Sequence, residues 1–151
     1  MPQKETLNAF TVRFLSRSAN ESFARAAAAA FIAQLDPTID ELYDLKTAVS
    51  EAVTNATVHA YGDTLGPITM SIKLMPPATV DITIRDKGCG IGDIPRARTP
   101  MFTTGGSDRS GMGFTIMESF MDKLTVRSAP GKGTTVRMQK ALSLRAVRGG
   151  A

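Results

Sequence analysis

The chemistry in this chain rests on side chains that appear in three short stretches. Glu51 and Asn55 stand four residues apart in Glu51-Ala-Val-Thr-Asn55. One helical turn separates them, so both leave the same face within about 6 Å of each other. A glutamate in that position can take a proton from a hydroxyl beside a metal-bound phosphate. An asparagine carbonyl is a hard oxygen ligand suited to Mg²⁺, which takes few protein ligands and completes its shell with phosphates and water. Alone, such a pair is ordinarily just the solvated surface of a helix. A second stretch, Asp86-Lys-Gly-Cys-Gly90-Ile-Gly92, changes the balance. An ionised carboxylate only accepts hydrogen bonds, and it can accept one from the adenine amino group, which guanine lacks at that position. Gly88 and Gly90 have no Cβ to hold a flat base away from the backbone. By itself this stretch is a common hairpin turn. The third stretch is Arg109-Ser-Gly111-Met-Gly113-Phe. Gly111 and Gly113 open a helix whose unpaired N–H groups and dipole favour an anion. Arg109 can swing onto a terminal phosphate. No Gly-x-x-x-x-Gly-Lys-Ser/Thr loop is present, so phosphate would be held in another way. The three stretches together read as an ATP site.

The elements that position these residues follow from hydrophobic period. Phe10, Val12 and Phe14 alternate with polar neighbours and predict a first strand. Ser18-Ala-Asn-Glu21 fits a capping box ahead of an alanine-rich helix to about residue 34. Thr38-Ile-Asp-Glu41 repeats the signature before a longer helix to about Tyr61, with an apolar stripe of Leu42, Leu45, Val49, Ala52, Val53 and Ala56. Two alternating strands follow, Ile68/Met70/Ile72/Leu74 and Val80/Ile82/Ile84, joined at Pro76-Pro77. Residues 93–109 read as a long loop, and a loop of that length in a compact domain is usually functional. A helix from about Gly111 to Met121 and strands near 124–128 and 133–140 complete the chain. Strict alternation buries one face of each strand. The predicted fold is therefore α+β: a two-layer α/β sandwich with a mixed or antiparallel sheet and helices on one face.

Composition sets the outer bounds. The chain has 151 residues, 42% hydrophobic and 21% charged, as expected of one globular domain over residues 1–151. No apolar run is long enough for a membrane span, and the first residues lack the apolar core of a secretory signal, which makes the cytoplasm the default location. The single cysteine excludes an internal disulfide; Cys89 reads as a packed, inert thiol. The only histidine, His59, reads as structural or pocket-lining, and Met117 and Met121 as core. The net charge of +4 is concentrated in residues 123–151, which carry no acid. Lys123, Arg127, Lys132 and Arg137 read as solvent-facing strand residues and residues 141–151 as a basic tail, so no nucleic-acid partner is predicted.

The three boxes, in this order on helix, strand end and loop-to-helix junction, resemble the ATP-binding superfamily of gyrase, Hsp90, histidine kinases and MutL, whose fold is the Bergerat type. Ser18–Arg25, Leu35–Leu42, Ser50–Ala56 and Arg109–Glu118 narrow the likeness. They are similar to the anti-sigma-F factor family of spore-forming bacteria over about residues 7–140. The resemblance implies a homodimeric serine kinase that also sequesters a sigma factor of RNA polymerase and phosphorylates an anti-anti-sigma partner. It implies ATP/ADP and Mg²⁺ as ligands. Glu51 would be the general base and Asn55 the Mg²⁺ ligand. Asp86 would read adenine, Thr134 would support it, and Gly88 and Gly90 would floor the pocket. Thr104, Arg109, Gly111, Met112 and Gly113 would surround the phosphates. Arg25 would meet the sigma factor, and Asp108 would lie where the lid meets its partner. Alternatives are a general-stress anti-sigma-B-type kinase, a non-catalytic nucleotide-dependent sigma-binding module, or a detached histidine-kinase ATP domain. The stretch Phe102-Thr-Thr-Gly-Gly-Ser-Asp-Arg109 departs from the family pattern by being one residue shorter, with Gly105-Gly106 for a more usual Lys-Pro.

Overall fold

Alternation in the strand segments produces a five-stranded sheet with one dry face and one wet face. The computed structural model describes residues 5–61, 64–89 and 113–143. Its strands are β1 (Asn8–Leu15), β2 (Pro67–Met75), β3 (Thr79–Asp86), β4 (Lys123–Ser128) and β5 (Thr134–Ala141). Their order is β1-β2-β3-β5-β4, and every neighbouring pair is antiparallel. Ile68, Met70, Ile72 and Leu74 of β2 and Val80, Ile82 and Ile84 of β3 are buried under the helices. The predicted two-layer α+β sandwich is what forms, with an antiparallel rather than mixed sheet among the described residues.

The opposite face carries polar side chains in register. The Thr11 and Ser71 hydroxyls meet across β1 and β2 at 3.0 Å. Arg137 is exposed on this face, as predicted, but it is not free in solvent. Its Nε and Nη2 donate to both oxygens of Asp81 at 3.1 and 2.6 Å, and Gln139 Nε2 donates to the same carboxylate at 3.2 Å. This bidentate pairing satisfies both oxygens of the buried Asp81 side chain.

Among the described residues three helices cover the dry face: α1 (Ala19–Ile32), α2 (Ile39–Asn55) and α3 (Gly113–Phe120). Ala24, Ala28 and Ile32 of α1 are fully buried, and the two alanines add little bulk where it packs along α2. Leu45, Ala48, Val49, Ala52 and Val53 of α2 are buried in the core, which Phe114 and Met117 of α3 and Met121 just after it close. Among the described residues no helix is long and apolar enough to cross a membrane.

The two predicted capping boxes end differently. Thr38 has the extended backbone of an N-cap; its hydroxyl accepts from Glu41 N–H at 3.0 Å, and its own N–H donates to Glu41 Oε1 at 2.8 Å. Ser18 is already helical (φ −58°, ψ −31°) and makes no side-chain cap bond. Its intended partner is occupied elsewhere: the Glu21 carboxylate accepts from the Ser50 hydroxyl of α2 and lies 3.6 Å from Arg25. A contact between helices has displaced the local one. The second helix also departs from expectation. α-Helical bonding stops at Asn55, and a π-helical turn spans Ala56–Ala60 before Tyr61.

Candidate functional site

Asp86 is the last residue of β3, and its register partner on β5 is Thr134. Both belong to the helix-side row of the sheet and are 8% exposed. Burial pushes the Asp86 carboxyl above the usual carboxylate range, while backbone N–H groups of Gly88 and Thr134 pull the other way without cancelling it. The Gly88 N–H donates to Asp86 Oδ1 at 2.9 Å, so the turn that follows the strand aims the carboxylate. Thr134 is oriented by Ser128: that hydroxyl donates to the Gly133 carbonyl at 2.9 Å and lies 2.7 Å from Thr134 Oγ1. One hydroxyl proton cannot serve both, so the Thr134 hydroxyl donates to Ser128 and keeps acceptor capacity of its own. Asp86 and Thr134 thus present a strong and a weak acceptor side by side.

The turn after Asp86 is clamped from two sides. Gly88 is pressed against the end of the π turn: a Cβ there would lie 2.4 Å from the Ala60 carbonyl oxygen. The next N–H, of Cys89, donates to that same carbonyl at 2.9 Å, and the Cys89 carbonyl accepts from Gly131 N–H at 2.6 Å. On the other side Gly133, at φ +82°, has room for a hydrogen only, since a Cβ would fall 2.3 Å from the Asp86 carbonyl oxygen. A side chain at Gly88 would therefore take space that the π turn occupies. Cys89, predicted to be a packed thiol, is exposed. What the fold holds there is its backbone, and the side chain is left on the outside of the turn.

Glu51 and Asn55 occupy the last turn of α2, both half-buried. Asn55 sits at the junction where α-helical bonding gives way to the π turn. A π turn widens the helix and re-aims the residues around it, and such turns are frequent at functional sites. Thr57 in this turn has a buried Oγ1 without a hydrogen-bond partner. Because Gly88 and Cys89 both touch Ala60, the π turn is also the piece that docks the Glu51/Asn55 helix against the Asp86 turn. The structure thus brings the first two predicted boxes together through backbone contact.

Tyr61 was read from sequence only as a helix end, yet it anchors this corner. Its hydroxyl donates to the Pro67 carbonyl and accepts from Lys87 N–H, both at 2.6 Å, tying β2 to the Asp86 turn. Burial raises its pKa, Lys87 N–H lowers it and the neighbouring Asp86 charge raises it again, leaving it above the ordinary phenol. An aromatic hydroxyl closing a long helix just before a glycine was the available signal.

Of the remaining predicted residues, Gly113 begins α3. Gly90, Thr104, Asp108, Arg109, Gly111 and Met112 lie outside the described residues, as does the His59 side chain. Arg25 is on α1, linked through Glu21 to Ser50, the residue before Glu51. The described donors and acceptors fit adenine: a buried acceptor-only carboxylate beside a hydroxyl oxygen matches an exocyclic amino group. Among the described residues no group of three His, Cys, Asp or Glu can hold a metal ion.

Comparison with known proteins agrees with this geometry. The family described as histidine kinase-like ATPase domain matches residues 14–140. The anti-sigma F factor of Caldanaerobacter subterraneus is 54% identical over 134 residues, 88% of this chain and 93% of the relative. That of Geobacillus stearothermophilus is 54% identical over 136 residues, 89% and 92% of the two chains. That of Bacillus velezensis is 54% identical over 138 residues, 90% and 94%. Among solved structures, the RsbU and RsbW domains of Rv1364c from Mycobacterium tuberculosis superpose with a TM-score of 0.68 at 19% identity. The superposition covers 92% of this chain and 34% of that longer one, a likeness of fold. A histidine kinase domain from Erythrobacter litoralis gives 0.52 at 21% identity, covering 81% and 60%. A buried acid beside a threonine at the sheet end, docked by a π turn onto a Glu-x-x-x-Asn helix, is thus seen in a chain that belongs to the anti-sigma F factor family of histidine kinase-like ATPase domains.

Proposed function

We propose that this protein binds and inhibits a sporulation-type sigma factor of RNA polymerase and uses ATP to phosphorylate a serine of an anti-anti-sigma partner. The observation that carries the reading is the docking of the Glu51/Asn55 helix end onto the Asp86 turn through Ala60. That contact joins the end of the helix carrying Glu51 and Asn55 to the turn after Asp86, which supports reading them as parts of one site. Membership of the anti-sigma F factor family supports the partner assignment.

In this reading Asp86 accepts from the adenine amino group, with the Thr134 oxygen beside it. Asn55 would hold Mg²⁺, which supplies charge neutralisation at the phosphates when bound. Gly111, Met112 and Gly113, with Thr104 and Arg109, would surround the phosphates. The partner serine oxygen attacks the γ-phosphorus, the bond to the β–γ bridging oxygen breaks, ADP leaves, and the hydroxyl proton passes to the Glu51 carboxylate. Arg109 offsets the charge that develops on the transferring group, so positioning and electrostatics supply most of the catalysis. Arg25 and Asp108 would contact the protein partners, and the active species would be a homodimer in the cytoplasm.

The test separates chemistry from binding. Glu51→Gln should keep ATP affinity within about twofold, because the base acts only on the acceptor hydroxyl. Phosphate transfer from labelled ATP to an anti-anti-sigma protein should fall by about 100- to 10,000-fold, as for loss of a general base. Undiminished transfer in the variant would remove Glu51 from the mechanism. Absence of transfer in the parent, with the sigma factor still bound, would reduce the protein to a nucleotide-dependent binding module.

A further inference from the structure

The wet face of the sheet carries a charge pattern that the nucleotide site does not use. The strand register sets Arg13, Thr69, Arg85, Thr135 and Arg127 in one row across all five strands. A guanidinium therefore stands on every second strand, about 10 Å from the next. Two rows away on the same face stand Ala9, Lys73, Asp81, Gln139 and Lys123, so Lys73 and Lys123 lie on either side of Asp81, and Arg137 belongs to the row between. Arg13, Lys73, Arg85, Lys123 and Arg127 are all exposed. None of them forms an ion pair among the described residues. The same face shows what a neutralised cation looks like here: Arg137 is held by Asp81, the one acid in these rows, and Gln139 also donates to that carboxylate. At one end of the Arg row, Arg13, Pro67, Thr69, Arg85 and Lys87 line a shallow depression of about 170 Å³.

From this pattern we infer that the wet face of the sheet is a docking surface for an acidic polypeptide segment of a protein partner. Like charges gathered on one face repel each other, and the fold supplies a carboxylate to only one of them. A single small anion would occupy the depression and leave Arg127, Lys73 and Lys123 unmet. An extended chain crossing the strands places acids three residues apart at about the 10 Å repeat of the Arg row. Half-buried threonines between the guanidiniums, Thr69 and Thr135, add hydroxyls for its backbone. Single-stranded nucleic acid is disfavoured because the described residues of this face include no aromatic ring on which a base can stack, and because Asp81 stands among the cations. A second copy of the chain would bring the same positive face against itself. Arg85 and Lys87 flank Asp86 in sequence, so the depression lies behind the strand end that aims the adenine-reading acid. The acidic segment and the nucleotide would bind on opposite sides of one sheet edge.

The inference stands apart from the kinase reading and is tested on the full chain with a fluorescein-labelled oligoglutamate peptide. Fluorescence anisotropy should show binding that weakens steeply with added salt. Arg13→Gln/Arg85→Gln should weaken it about tenfold, in keeping with two exposed charge pairs. Arg17→Gln/Lys46→Gln, which removes the same charge from other surfaces, should leave it within about twofold. ATP affinity should be the same in both double variants, which reports intact folding whether or not transfer occurs. Equal weakening in the two double variants would reduce the effect to net charge and overturn the inference. An oligothymidylate that binds more tightly than the peptide with the same dependence on Arg13 and Arg85 would replace it with a nucleic-acid surface. A dimer in sedimentation that Arg13→Gln/Arg85→Gln dissociates would replace it with self-association.

Discussion

Helix α2 is closed by local rules at its first turn and left open to tertiary contacts at its last. At the start, Thr38 and Glu41 satisfy each other, and the second Glu41 oxygen accepts from Ser143 N–H at 2.7 Å, pinning the end of β5. Burial alone would raise the Glu41 pKa, but bonds from Ser143 and Thr38 outweigh it and hold the carboxyl below its usual range. At the other end the helix gives up α-helical bonding, leaves the buried Thr57 hydroxyl unpaired and packs its backbone against a glycine. One end secures the fold. The other accepts local imperfection where Glu51, Asn55 and the Asp86 turn must meet, as expected where function competes with stability.

The contrast can be broken most sharply at Asp86. Asp86→Asn should weaken ATP binding by about a hundredfold, the value of a hydrogen bond to a charged acceptor, measured by calorimetry. The variant should not be less stable than the parent at neutral pH. A raised folded-state pKa means the proton is held more tightly in the native state. The stabilisation from that proton is complete below the ordinary carboxylate range and is lost as pH rises through the raised value. Replacing the acid removes this loss. Parent ATP affinity should fall on acidification through the same raised value, because the ionised acid is the stronger acceptor and protonation turns one oxygen into a donor. Glu41 has the opposite sign: its contribution is present above the ordinary pKa and is lost as pH falls through the lowered one. Unchanged ATP affinity in Asp86→Asn would withdraw the adenine-reading role.

Gly88→Ala ranks next. Its Cβ would overlap the Ala60 carbonyl, so the helix end must shift, with a stability loss of about 1–3 kcal/mol by denaturant unfolding and weaker ATP binding. Thr38→Ala should cost about 1 kcal/mol and leave ATP affinity unchanged, which would mark the first turn as purely structural. The smallest effect is expected at Thr57→Val, which removes an unpaired buried hydroxyl at nearly constant volume. A gain of about 0.5–1 kcal/mol in thermal unfolding is expected, and a loss would show that the hydroxyl has a use in the folded chain.

How much of this could be read in advance depended on the range of each interaction. The strands and the α2 stripe were legible because burial of alternate or every third-to-fourth residue is written along the chain. The Thr38 box was legible for the same reason: donor and acceptor lie three residues apart. The identical Ser18 box failed because its Glu21 is taken by Ser50, 29 residues away. Arg137 looked like a solvent residue until the sheet set Asp81 diagonally across from it. Tyr61 looked like a helix terminator until β2 and the Asp86 turn closed on its hydroxyl. The candidate site was legible as residue types; the contacts joining its boxes were not.

The sequence by itself determined the two-layer sandwich, the faces that are dry and the identity of the acids, amide and glycines at the site, since period and residue chemistry are local properties. Tertiary structure alone decided that α2 would end in a π turn, that Gly88 would make room for Ala60, and that uncompensated cations would share one sheet face. Each of those depends on which distant backbone lies within a few ångströms, and that distance exists only once the chain has folded.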